Sequence, residues 1–336
     1  MDDNSDPNSS DDWLRNLPLR SEKIGFAPDE MVVCRRCTKA NAPNRPTCLY
    51  CGAELAGVSA GKKLDLRKLE IWENGFNVVV TDSTSLADAD HAAMSLNSLL
   101  GVEPAILKPI LNSRTPIPVA RVESEEHAAF LSEKLAEVRI ETRLVSDASL
   151  LPSSPPVRLR AVLFGENELE LKLFNSGDLV HLRRDDLALI VTGILFEART
   201  ESFEQRKLRS TKTVDETETV FDTPVIDIYS RQDSAGWRIS SYGFDFSCLG
   251  KEKSLLAAEN MERLIAKLGE FSPAAKLVGD FADERAMLEH CWPSESRKDA
   301  YGFQRSGFAR KDLSKVSSTN NAVQLVKYSR LQWHLL

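Results

Sequence analysis

Two cysteine pairs set the tightest limit on what this chain can fold into. Cys34-Arg35-Arg36-Cys37 and Cys48-Leu49-Tyr50-Cys51 are Cys-x-x-Cys knuckles separated by ten residues. Two residues between thiols let one tight turn offer both sulfurs to a single ion. A second such turn facing the first completes a tetrahedron with metal–sulfur bonds of about 2.3 Å. The surrounding stretch, residues 31–56, has only Met31, Val32, Val33, Leu49 and Leu55 as large aliphatic residues to bury, too few for an independent core. A structural zinc ion supplies on the order of 10–16 kcal/mol of apparent binding energy that becomes folding energy. The spacing therefore predicts one structural Zn²⁺ held by Cys34, Cys37, Cys48 and Cys51. A redox dithiol needs one pair in a different context, and an iron centre of rubredoxin type stays open as an alternative. Four thiolates leave no position for water or substrate, so the expected role is structural and not catalytic.

The segment Cys34 to Leu55 resembles the short bacterial zinc-ribbon family, whose second knuckle typically reads Cys-x-x-Cys-Gly-x-x-Leu; here Cys51-Gly52-Ala53-Glu54-Leu55 fits. The first knuckle departs in having Thr38 where many members place glycine.

Charge is segregated along the chain. The whole carries a net charge of −7, which argues against a general nucleic-acid binder. Residues 1–30 hold eight acids against three bases, whereas residues 31–70 hold eight bases against three acids. An acidic tail beside a basic module can fold back on it; the plainer account is solvated charge. The first thirty residues read as disordered. Within them Trp13, Leu14 and Leu17 form a candidate helical docking motif, capped by Ser10 and ended by Pro18. Arg35 and Arg36 on the ribbon are candidate partner contacts, reaching either an acidic protein or phosphate.

After a linker over 57–75, residues 76–147 predict a small α/β domain in the order β-α-α-β-α-β. Its signals are a strand at Phe76–Val80, Gly101 as a helix stop, Pro104 opening a second helix and Ser124 capping a third. This order resembles the domain shared by the ribosomal stalk protein's C-terminal half and the Clp protease adaptor. Gly101-Val102, Lys108 and Ser124-Glu125-Glu126-His127-Ala128 carry the likeness, which implies a small protein-binding fold. The adaptor's degron pocket is matched only by Thr81-Asp82, and Val138-Arg139 replaces the stalk glycine.

Leu151 to Pro156 closes a Pro/Ser linker over 148–156. Beyond it alternation at period two predicts a mainly antiparallel β domain over 157–270 that ends in a helix from Glu252, with Gly269 as its C-cap. That topology is similar to a pleckstrin-homology-like roll. Residues 201–218, charged and poor in apolar groups, predict a mobile loop. Residues 271–336 predict a helical extension: a helix near Ala282–Cys291, a polar loop through Asn321 and a last helix bearing Val323, Val326, Tyr328 and Trp333. The fold class expected is thus multidomain α+β.

No catalytic constellation recommends itself. The five histidines (His91, His127, His181, His290, His334) are scattered, and no phosphate loop or nucleophile elbow is present. Cys248 and Cys291 stand alone in apolar surroundings, the usage of a reducing compartment, and no signal peptide or apolar run of membrane length is found. The sequence therefore predicts a non-catalytic cytoplasmic adaptor that binds a protein partner. The alternative is a nucleic-acid or ribosome-associated regulator working through the basic ribbon.

Overall fold

The computed structural model describes residues 31–42, 45, 47–53, 55, 67–81, 86–151, 154–207, 210–232, 235–307 and 310–336. The docking motif Trp13, Leu14 and Leu17 lies outside them. The chain is mixed α+β and divides into two compact units, Met1–Leu64 and Asp65–Leu336.

In the first unit β1 (Val32–Val33) pairs antiparallel with β2 (Ala40–Asn41), Val32 opposite Asn41. Its buried apolar cluster consists of Cys34, Cys48 and Leu55. Two of those three are cysteines, so the cohesion of this unit rests on sulfur.

The second unit opens with the expected order: β3 (Phe76–Val80), α1 (Leu86–Leu100), α2 (Pro104–Leu111), β4 (Ile117–Val122), α3 (Glu125–Glu137) and β5 (Thr142–Ser146). The sheet order is β4-β3-β5, with the central strand antiparallel to both neighbours. Local chemistry sets the boundaries. Gly101 adopts φ +66°, a conformation glycine takes without Cβ strain. Pro104 occupies the first turn of α2, where its missing N–H costs nothing. The His127 amide donates to the Ser124 side chain at 3.2 Å, capping α3.

A short helix, α4 (Asp147–Leu150), leads into the large sheet. That sheet contains β6 (Val157–Phe164), β7 (Glu168–Leu173), β8 (Leu179–Arg183), β9 (Leu187–Lys207), β10 (Ser210–Ser230), β11 (Trp237–Ser240), β12 (Lys276–Val278), β13 (Glu295–Gly307) and β14 (Arg310–Asn320). Its strand order is β13-β14-β9-β10-β11-β6-β7-β8, with β12 also beside β9. Pairing is antiparallel except between β11 and β6 and between β12 and β9. Helices α5 (Ala257–Phe271), α6 (Phe281–Leu288) and α7 (Ala322–His334) complete the unit.

Four expectations are corrected here. Residues 201–207 and 210–218 belong to the paired strands β9 and β10, not to a loop. Thr200, Thr211, Thr213, Thr217 and Thr219 favour extended backbone, and residues 197–222 contain neither glycine nor proline. The sequence here is mostly polar and charged, so it lacks the hydrophobic alternation that marks a half-buried strand. For the same reason the polar stretch before Asn321 is a second hairpin, β13–β14. Residues around Glu252 form a 3₁₀ stretch (Phe246–Glu252), and the α-helix starts only at Ala257. That helix passes through Gly269 to Phe271 and is capped by Ser272, so Gly269 is not its terminus.

The segments expected as separate domains share one packing cluster. It joins Val78, Val79, Leu107 and Leu131 of the α/β portion to Leu189, Val191, Tyr229, Phe281, Leu325, Tyr328 and Leu331. Helix α7 is the joint, with every residue from Gln324 to Gln332 buried. Its polar side chains reach several segments: Gln324 donates to the Trp292 carbonyl, Gln332 to the Pro116 carbonyl, and Arg330 to the carbonyls of Ser154 and Ala235. Lys327 donates to Asp147 at 2.8 Å. Asp147 also accepts from Arg121 at 2.7 Å, Asn77 at 3.0 Å and the Gly75 amide at 2.9 Å. The Pro/Ser composition of 148–156 hides this, although Asp147 just before it and Leu150 within it are fully buried. Among the described residues no helix is long and apolar enough to cross a membrane.

Candidate metal centre

The four cysteines are brought together by two copies of one backbone device. In the first knuckle the Thr38 amide donates to the Cys34 carbonyl at 2.8 Å, and the Cys34 amide to the Lys39 carbonyl at 3.0 Å. In the second, the Gly52 amide donates to the Cys48 carbonyl at 2.9 Å, and the Cys48 amide to the Ala53 carbonyl at 2.8 Å. Both turns need left-handed backbone at the residue after the second cysteine: Gly52 has φ +69° and Thr38 has φ +57°. Thr38, the departure noted in the sequence, accepts the glycine conformation at a cost of roughly 1–2 kcal/mol.

The sulfurs converge. Cys34 Sγ lies 3.6 Å from Cys51 Sγ, and Cys37 Sγ 3.5 Å from Cys48 Sγ. All four lie within 4.8 Å of one another. Bonds of about 2.3 Å give tetrahedral edges of about 3.8 Å, close to what is seen. The set is therefore a tetrahedral-like arrangement able to hold a metal ion. Cys34 and Cys48 are buried, Cys37 and Cys51 half-buried.

Electrostatics in the cluster is that of thiols crowded together. At Cys48, burial works against ionisation, yet the amides of Tyr50 and Cys51 and the Cys37 thiol together draw the thiol down to about 6. Cys34 is also lowered, chiefly by the Cys37 amide. At Cys37 the Lys39 amide favours the thiolate, but burial and the three neighbouring sulfurs push the thiol up to about 12. Some of the sulfurs ionise readily and another resists becoming one more adjacent anion; a dication resolves that conflict.

One contributor was missed in the sequence. Asn41, buried at the end of β2, directs its Nδ2 to Cys48 Sγ at 3.5 Å and to the Lys39 carbonyl at 2.8 Å, while its Oδ1 accepts from the Leu49 amide at 2.9 Å. It ties the two knuckles together and donates to a ligand sulfur, as outer-shell groups do in metal sites. An asparagine outside the Cys-x-x-Cys pattern gives no signal of this in one sequence.

Arg35, Arg36, Lys39 and Arg45 are exposed, as are Val33, Leu49 and Tyr50. Lys39 Nζ lies 4.5 Å from the centre of the Tyr50 ring.

Elsewhere, Glu168, Glu170 and His181 place ligand atoms within 4.8 Å of one another on the outer side of β7–β8. Glu168 and His181 are exposed, and His181 Nδ1 lies 3.3 Å from Glu168 Oε1 as an ordinary surface pair. A half-open cleft of about 460 Å³ is lined by Leu69, Leu100, Val102 and Ile106, with Lys68, His290 and Cys291 also on its wall. Burial pushes the Cys291 thiol up to about 12, and burial together with Lys68 lowers His290. Adjacent in sequence, these two do not form an activated nucleophile. No protein family, curated protein or solved structure matches the chain.

Proposed function

We propose that the chain is a non-catalytic adaptor whose first unit is a structural zinc ribbon that docks a protein partner. The four-thiolate geometry carries this reading. A closed sulfur tetrahedron around Zn²⁺ fixes a minidomain with no vacant position for chemistry, leaving its surface as the working part. That surface presents Val33, Leu49 and Tyr50, between 56% and 63% exposed, beside Arg35 and Arg36. Apolar and aromatic groups flanked by arginine are the composition of interface hot spots, complementary to an acidic partner with an apolar centre. The raised pKa values of Cys248 and Cys291, both first caused by burial, accord with a non-enzymatic role.

The test compares the intact protein with Val33→Ser/Leu49→Ser/Tyr50→Ser, which leaves the ligands in place. Elemental analysis is expected to give one zinc per chain in both. A partner recovered by affinity purification, then purified and titrated, is expected to bind the variant at least about tenfold more weakly, about 1.4 kcal/mol. Equal affinity for wild type and variant, or a metal-free ribbon that keeps its fold, overturns the proposal.

The exposed Arg35, Arg36, Lys39 and Arg45 support a second reading, phosphate contact with nucleic acid through the ribbon. It requires salt-sensitive binding that Arg35→Gln/Arg36→Gln abolishes.

A further inference from the structure

Where the α/β layer meets the large sheet, three cations that make no ion pair share one cleft. Arg114, Arg143 and Lys276 line a half-open space of about 590 Å³, with Glu141 as the one acid on its wall. All three cations are exposed. Among the described residues their charged groups have no salt bridge and no hydrogen bond. In a chain of net charge −7 this is a local reversal.

The three come from different elements, and packing fixes each. Arg114 lies between two anchored residues: Ser113 Oγ donates to Glu284 Oε1 at 2.6 Å, and Thr115 Oγ1 to Asp280 Oδ2 at 2.7 Å. Pro116, also on the wall, has its carbonyl held by Gln332 of α7 at 2.8 Å. Arg143 stands on β5 two residues from buried Val145, so strand alternation sets both on one face. Val145 pairs with Asn77, whose Oδ1 accepts from Trp292 Nε1 at 2.8 Å. That face therefore turns toward Trp292, just beyond α6. Lys276 opens β12, opposite Leu189 of β9. The backbone under the three cations is thus set before any ligand arrives, which lowers the cost of binding.

Like charges gathered in a cleft repel, and an anion relieves the repulsion. A lone carboxylate satisfies one guanidinium fork. Two guanidiniums and an ammonium match the several oxygens and the double charge of a phosphate group. The volume falls within the roughly 300–1,000 Å³ usual for small-molecule sites, and a phosphate alone leaves much of it empty. The rest of the wall indicates what the ligand carries besides. Glu141 offers a carboxylate that accepts hydrogen bonds, and Thr81 and Thr142 offer hydroxyls. Those groups suit the hydroxyls of a sugar. Among the described residues the wall holds no aromatic ring for a nucleobase to stack on.

We propose that this cleft is a binding site for a phosphorylated sugar, with Arg114, Arg143 and Lys276 on the phosphate and Glu141 on a hydroxyl. It is independent of the zinc-ribbon reading, because it uses different residues in the other unit.

The experiment is isothermal titration calorimetry of the full-length, zinc-loaded protein with glucose 6-phosphate, inorganic phosphate, adenosine monophosphate and citrate. Glucose 6-phosphate is expected to bind at least about tenfold more tightly than the other three, and more weakly as salt is raised. Arg114→Gln/Arg143→Gln/Lys276→Gln, checked for native circular dichroism and zinc content, is expected to weaken it at least about tenfold. Glu141→Gln separates recognition from mere charge: it is expected to tighten inorganic phosphate and to weaken glucose 6-phosphate. The wild-type ranking tests the idea without any variant. No binding of glucose 6-phosphate at about 1 mM, equal or tighter binding of inorganic phosphate, adenosine monophosphate or citrate, a triple variant that binds like wild type, or a gain for both phosphates in Glu141→Gln overturns the proposal.

Discussion

Among the described residues Asp147 is the only carboxylate that directly pairs with the two buried cations Lys327 and Arg121, so its neutralisation tests how the second unit is held together. All three side chains are at most 4% exposed. In Asp147→Asn both cations lose their counter-ion while remaining out of water, a defect that costs about 3–5 kcal/mol. In Lys327→Met the Asp147–Arg121 pair survives one to one. Burial outweighs the attraction of Asp147 and draws the Lys327 pKa below its usual value, so a charged Lys327 is a net burden on the fold. Lys327→Met should therefore cost less than about 1.5 kcal/mol. At about 2 °C per kcal/mol for a unit of this size, thermal melting followed by circular dichroism should fall by about 6–10 °C for Asp147→Asn and by no more than about 3 °C for Lys327→Met. The pH dependence has a definite sign. Burial alone would raise the Asp147 pKa, but Lys327, Asn77 and Arg121 outweigh it and the value is lowered. Stability from this carboxylate is full above its unfolded value of about 3.9 and disappears as pH falls through the folded value. Asp147→Asn should lack that acid-side loss. If Lys327→Met destabilised as much as Asp147→Asn, the network would not be governed by its surplus positive charge and this reasoning would fail.

Thr38→Gly removes the Cβ from a left-handed residue and should strengthen the ribbon by up to about 1 kcal/mol, read as slower zinc loss to a chromophoric chelator; faster loss would show that the Thr38 hydroxyl, 2.8 Å from the Cys37 carbonyl, matters more. Gly193→Ala would set a Cβ 2.6 Å from Leu325 Cδ1 and 3.3 Å from Phe281 Cδ1, and this overpacking should cost about 1–3 kcal/mol in a urea melt. Cys291, fully buried with its thiol pushed up to about 12, should resist a disulfide reagent at pH 8 until the chain unfolds, while half-buried Cys248 reacts first.

The four-cysteine cluster was legible because cysteine spacing encodes geometry directly, whereas Asn41 was not, because its role depends on a hairpin that brings residue 41 against Cys48. The β-α-α-β-α-β order could be read from caps, Gly101 and Pro104, where local chemistry decides. The long hairpins could not, since their polar sequence has no apolar period and β9 is supported by pairing with β14, more than a hundred residues away. Nor could the burial of α7, whose Lys327, Arg330 and Gln332 look like a solvent-facing stripe until Asp147, Ser154, Ala235 and Pro116 are in place to receive them.

That helix has a consequence for synthesis. Each partner of its side chains precedes it in the chain, so during translation the α/β layer and the large sheet must wait, partly built, with Val78, Val191 and Phe281 lacking their final cover. A nascent chain paused before residue 322 would present a sticky intermediate, dependent on chaperones and open to proteases. Completing α7 would release it from both.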